Sequence, residues 1–120
     1  MNGCSSRRPD FVFHTDYGVL VFENDENQHK SRACECEQTR MIQLHQDFGE
    51  SLHFIRFNPD RYRTTRGFLD LRQRHKKLYE IVKRILKYPQ EFFSENNGLS
   101  VRYMFYDDCD GSFIVMKIDY

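Results

Sequence analysis

Short runs of alternating apolar and polar residues, separated by turn residues and by two longer segments of helical period, outline the elements of this chain. Phe11 to His14 and Val19 to Glu23 are rich in β-formers and flank Thr15-Asp16-Tyr17-Gly18, a loop suited to a hairpin. A polar stretch follows, from Asn24 to Ser31. Cys34 to Phe48 then reads as a helix, with Met41, Leu44 and Phe48 on one stripe and Gly49 as its stop. Leu52 to Phe57 reads as a strand closed by Asn58-Pro59-Asp60. Gly67 to Tyr88 has a helical apolar face of Leu71, Leu78, Ile81, Val82 and Ile85, with Pro89 beyond its end. Two strands close the chain, Leu99 to Tyr106 and Ser112 to Ile118, joined by Asp107-Asp108-Cys109-Asp110-Gly111. The order ββαβαββ predicts an α/β (α+β) fold with a mixed β-sheet and flanking helices. No repeat, low-complexity tract or linker divides residues 1–120, so one domain is expected.

Composition narrows the class. With 39% hydrophobic and 30% charged residues the chain has the make-up of a globular protein rather than a disordered one. No apolar run approaches the roughly 18 residues that span a bilayer, and Met1 to Ser6 lacks the apolar core of a signal peptide, so no membrane partner and an intracellular, reducing setting are expected. The four cysteines fit that setting. Cys34 and Cys36, two apart on a helix, point about 200° from each other and cannot jointly hold a metal. A zinc site of Cys4, Cys34, Cys36 and Cys109 is conceivable, but the spacing matches no finger or ribbon, and free structural thiols are the favoured reading.

Net charge is zero, which alone argues against a nucleic-acid binder, yet its distribution is uneven. Arg56 to Lys87 holds eleven Lys/Arg against three Asp/Glu, and the remainder carries the matching negative excess. A basic middle with acidic ends suits a phosphodiester enzyme, although a solvated amphipathic helix would give the same count.

The chemistry-bearing feature is the pairing of Arg8-Pro9-Asp10 with Glu23-Asn24-Asp25-Glu26-Asn27-Gln28-His29. Glu23 and Asp25, two apart on or just past a strand, face the same side. If His14 pairs with Val19 across the hairpin, Asp10 falls opposite Glu23, with Cβ atoms about 4.5–5.5 Å apart. Three carboxylates so gathered repel one another unless a divalent cation lies among them or protons are taken up, and oxygen ligands suit Mg²⁺ or Mn²⁺. A register slip of one residue would send Asp10 to the other face. His29 adds a group able to accept a proton from water at neutral pH. Metal and base together are the minimum set for phosphodiester hydrolysis; the alternative is a solvated acidic loop with an incidental histidine.

The strings RPDFVF, VFENDENQHK, CECEQTRMIQL and FIRFNPDRY resemble the PD-(D/E)xK superfamily of DNA endonucleases. They are similar to its very-short-patch-repair-like branch and to nuclease-like proteins of large double-stranded DNA viruses. The likeness is concentrated in residues 8–62 as a catalytic-motif core and continues more loosely through 63–120, a helix plus a C-terminal β-hairpin. It implies a restriction-endonuclease-like fold, Asp10 and Glu23 as metal ligands, and Asp25 as a further ligand or acidic partner. It also implies His29 as base or phosphate contact with Gln28 beside it. Glu37 and Arg40 would support the site through an intrahelical or helix-to-strand ion pair, and Arg56 would contact phosphate or pair with a carboxylate. Asp25 stands where the family has its lysine, so catalysis would rest on His29. Only nine residues precede Asp10, so an N-terminally shortened domain is expected.

Arg61, Arg63, Arg66, Arg72, Lys76 and Lys77, with Arg74, Lys83, Arg84 and Lys87, would contact DNA phosphates, interleaved with Tyr62, Tyr79 and Tyr88. Two function classes follow. One is a Mg²⁺- or Mn²⁺-dependent DNA endonuclease in the host cytoplasm or nucleus. The other is a degenerate nuclease fold serving as a structural or minor capsid component, packing on itself as a homodimer or on other virion proteins through a sheet edge or the aromatic tail of Tyr103, Phe105, Tyr106, Phe113 and Tyr120.

Overall fold

The hairpin register expected from the Thr15–Gly18 loop is the one found. In a computed structural model, which describes residues 9–25, 34–62, 69–106 and 114–120, strands β1 (Phe11–His14) and β2 (Val19–Asn24) pair antiparallel with Phe11 opposite Phe22 and His14 opposite Val19. Thr15 sets this turn: its hydroxyl donates to the Gly18 carbonyl at 2.7 Å and accepts from the Gly18 N–H at 3.0 Å. Gly18 itself is buried, and a Cβ there would meet the Phe93 ring at 2.6 Å. Gly18→Ala is therefore expected to destabilise the fold by about 1–3 kcal/mol through overpacking. An unchanged urea midpoint would show that the buried Phe93 ring can yield.

Helix α1 (Cys34–Phe48) ends at Gly49, whose positive φ of 70° lets its N–H reach back to the His45 carbonyl at 3.0 Å. Strand β3 (Leu52–Phe57) follows, buried at every position. Helix α2 (Leu71–Lys87) begins later than its apolar period suggests. Asp70 accepts from the Gln73 N–H while the Gln73 side chain accepts from the Asp70 N–H, a capping box that fixes the start at Leu71. Leu71 is accordingly exposed, whereas Leu78, Ile81, Val82 and Ile85 pack inward. A short helix not expected from sequence, α3 (Pro89–Glu95), comes next; Pro89, read as a stop, also occupies its first turn. Strands β4 (Leu99–Met104) and β5 (Ile114–Ile118) complete the order ββαβααββ.

The sheet runs β1-β2-β3-β4-β5, with the three central strands parallel and both edge strands antiparallel. Alternation along the buried strands splits the core. Val19, Val21, Leu52, Phe54, Leu99 and Val101 face α1 through Met41, with Leu44 and Phe48 packed against them. Leu20, Ile55, Phe57 and Met104 face α2 and α3 through Ile85 and Phe93. The chain is thus a mixed α/β domain, a five-stranded mixed sheet flanked by helices on both faces. Because β2, β3 and β4 step in one direction while their connecting helices lie on opposite faces, the two crossovers have opposite hand, against the usual preference for two right-handed ones.

Candidate functional site

The carboxyl ends of β2, β3 and β4 lie side by side, the place where open α/β sheets bind their ligands. Buried charge collects there on the α1 face. Glu23 stands directly opposite Arg56, and Arg56 opposite Tyr103. Glu23 accepts from Arg40 of α1 at 2.5 Å, an ion pair from helix to strand. Asp25, just past β2, is fully buried and takes Arg56 in a fork, Nε to Oδ2 at 2.6 Å and Nη2 to Oδ1 at 3.1 Å. The Tyr106 hydroxyl also donates to Asp25 Oδ2. Burial first, and then the neighbouring Asp25 charge, push the Tyr106 hydroxyl well above the ordinary phenol range, so it serves as a fixed donor.

Tyr106 reaches this position through a strained turn. Phe105 has φ 63°, a conformation an aromatic residue rarely adopts, and its ring packs among the α2-side core residues. The turn is clamped by Asn58, whose side chain donates to the Phe105 carbonyl at 2.8 Å and whose N–H donates to the Met104 carbonyl at 3.1 Å. Arg74 secures the other side of Asn58-Pro59-Asp60, donating through Nη1 to the Asn58 and Asp60 carbonyls at 2.9 and 2.8 Å. From sequence, Asn58-Pro59-Asp60 is expected to be a turn and Arg74 a phosphate contact. Arg74 is instead buried and holds that turn, under a roof of Tyr62 and Phe105 rings. Tyr62, Phe105 and Tyr106 are internal residues, not an aromatic surface; Tyr120 is exposed.

Asp10 sits apart from the buried pairs. It is exposed, lies just before β1, and its Oδ2 accepts from the Asn24 N–H at 2.7 Å. It borders a cleft of about 430 Å³ shared with Phe22, Asn24, Phe57 and His75. Among the described residues no group of three His, Cys, Asp or Glu side chains is placed to hold a metal ion. Glu23 and Asp25 are donors of the right kind for Mg²⁺, but each is bound by a guanidinium, so the described residues alone do not make the ion's site. Gln28, His29, Arg63, Arg66, Cys4, Cys109 and Phe113 lie outside the described residues, as do the side chains of Cys34, Cys36 and Glu37. Arg61, Arg72, Lys76 and Lys77 are exposed. No helix among the described residues is long and apolar enough to cross a membrane.

The architecture and site thus define a mixed α/β domain with an ion-paired carboxylate cluster at the carboxyl ends of its parallel strands. Comparison with family models, curated proteins and solved structures finds no match to the chain.

Proposed function

We propose that this chain has a restriction-endonuclease-like fold and hydrolyses DNA phosphodiester bonds with Mg²⁺ or Mn²⁺, its site lying at the carboxyl ends of β2, β3 and β4. The observation that carries the reading is the burial of Glu23, Asp25 and Arg56, none more than 1% exposed, at that one place. Packing alone gives little reason for such a cluster, since well-packed apolar residues of similar volume are often as stabilising as a buried ion pair or more so. Charged groups held in fixed positions at a ligand-binding end of a sheet are better accounted for by chemistry.

In this reading Glu23 and Asp25 would hold the ion, whose chemistry is to polarise a phosphate oxygen and acidify water, and Asp10, apart from them beside Asn24, would not be a ligand. His29, five residues beyond Asn24 in sequence, would take the proton from water, with Gln28 beside it. Arg40, at 13% exposure the more accessible guanidinium, would meet phosphate, while Arg56 and Tyr106 fix Asp25. The exposed Arg61, Arg72, Lys76 and Lys77 would bind DNA backbone without reading sequence.

The closed ion pairs favour a second reading, a nuclease-derived scaffold in a virion in which Arg40 and Arg56 permanently neutralise the carboxylates. Nicking of supercoiled plasmid with Mg²⁺ or Mn²⁺ separates the two. The hydrolase reading expects activity that falls about a hundredfold or more in His29→Ala and is abolished in Glu23→Gln, with both variants folded by circular dichroism. Equal activity in parent and variants, or none in any, leaves the scaffold.

A further inference from the structure

The sheet's other face carries a buried cation without a partner among the described residues. Along β4, Val101 faces α1, so Arg102 projects toward α2 and α3, flanked across the ladders by the fully buried Ile55 and by Val115. Arg102 lines a cavity of about 360 Å³ walled also by Arg84, Tyr88, Glu91, Phe92 and Glu95. Arg102 makes no ion pair or hydrogen bond among the described residues, and its Nε is buried without an acceptor. Glu91 and Glu95 border the same space and make no ion pair with Arg102 among the described residues. Burial pushes the Arg102 guanidinium below its ordinary range, the mark of a cation short of compensation. A planar fork with open donors, beside two aromatic rings and the Ile81 and Ile85 side of a mixed polar and apolar wall, matches a carboxylate or phosphate carried on a flat apolar body.

We propose that this cavity between α2, α3 and β4 is a binding site for a small organic anion, anchored by Arg102, with its apolar body against Tyr88 and Phe92. The site lies across the sheet from the carboxylate cluster and does not depend on the hydrolase reading. Glu91 and Glu95 limit the negative charge it accepts, so a single anionic group is the expected ligand.

Titration of the isotopically labelled full chain by amide NMR tests the idea, with benzoate and phenyl phosphate as probes and benzyl alcohol as the uncharged control. Saturable shifts confined to α2, α3 and β4 are expected with at least one anion, and whichever probe binds assigns carboxylate or phosphate. Arg102→Gln is expected to weaken that binding about tenfold or more while keeping the parent's melting temperature or raising it, because an unpaired buried charge has been removed. Tyr88→Ala, at a half-exposed position, is expected to weaken binding without affecting folding. No saturable shift with either anion, equal response to benzyl alcohol, or undiminished binding in both variants would overturn the proposal. So would an Arg102→Gln chain that fails to fold, since the guanidinium would then be structural.

Discussion

Asp25→Ala is expected to destabilise the fold by about 3–5 kcal/mol, the range for stripping one partner from a buried ion pair. Asp25 is fully buried, Arg56 is 1% exposed, and the substitution removes the forked acceptor of that guanidinium and the acceptor of the Tyr106 hydroxyl. Against a total stability of roughly 5–15 kcal/mol for a domain, the loss is large enough to show in a urea unfolding curve as a much lower midpoint. Asp25→Leu combined with Arg56→Met, which removes both charges and keeps apolar volume, is expected to recover most of the loss. Asp16→Ala in the exposed hairpin loop should stay within about 0.5 kcal/mol of the parent. A single Asp25→Ala variant as stable as the parent would mean that Arg56 finds another partner or reaches water. The double variant also bears on function, because a folded, stable chain without the pair would show that Asp25 and Arg56 are retained for something other than stability.

Local signals carried the elements a long way. The Thr15–Gly18 loop fixed the β1–β2 register, Gly49 fixed the end of α1, and period alone gave β3 and the apolar face of α2. Failures were of two kinds. Some local chemistry was outweighed by a stronger pattern: the apolar period from Gly67 masked the Asp70–Gln73 cap, and Pro89, read only as a stop, also starts α3. Other features are written in no local window. Asp25 meets Arg56 across 31 positions and Tyr106 across 81, and the latter contact needs the φ 63° turn at Phe105 that an Asn58 side chain holds from 47 positions away. A register argument can set carboxylates on one face of a hairpin, but it cannot say which guanidinium the next crossover brings. Hence Arg40 and Arg56 were legible as neighbours of the site, whereas Arg74 appeared as one more member of a basic stretch until its burial under Tyr62 and Phe105 was seen. The hand of the crossovers was likewise beyond reach, since the usual rule predicts both helices on one face.

Acid is expected to act on this fold through His53. The ring is fully buried on β3, hydrogen-bonded through Nδ1 to the Ser100 hydroxyl at 2.7 Å and packed edge-on against Phe92 at 4.8 Å. Burial first, and the nearby Arg102 charge second, lower its pKa from 6.5 to about 3. The folded chain thus keeps this imidazole neutral over a range in which the unfolded chain protonates it. Between pH 6.5 and about 3 the unfolded state binds the additional proton, so stability falls as pH is lowered through that window and is unaffected by this group above it. The slope approaches about 1.4 kcal/mol per pH unit, which makes the loss at pH 4 relative to neutrality about 3 kcal/mol from this one residue. Carboxylates and the other histidines add slopes of their own, so the contribution is read as a difference between proteins. His53→Phe with Ser100→Ala removes the titrating ring and its partner together, preserves the aromatic contact with Phe92, and is expected to cost little at pH 7. Urea unfolding at both pH values should then show the double variant losing about 3 kcal/mol less than the parent on acidification. If the two lose stability in parallel, His53 takes its proton inside the folded chain, and the β3–β4 core around it is far more open to water than its burial implies.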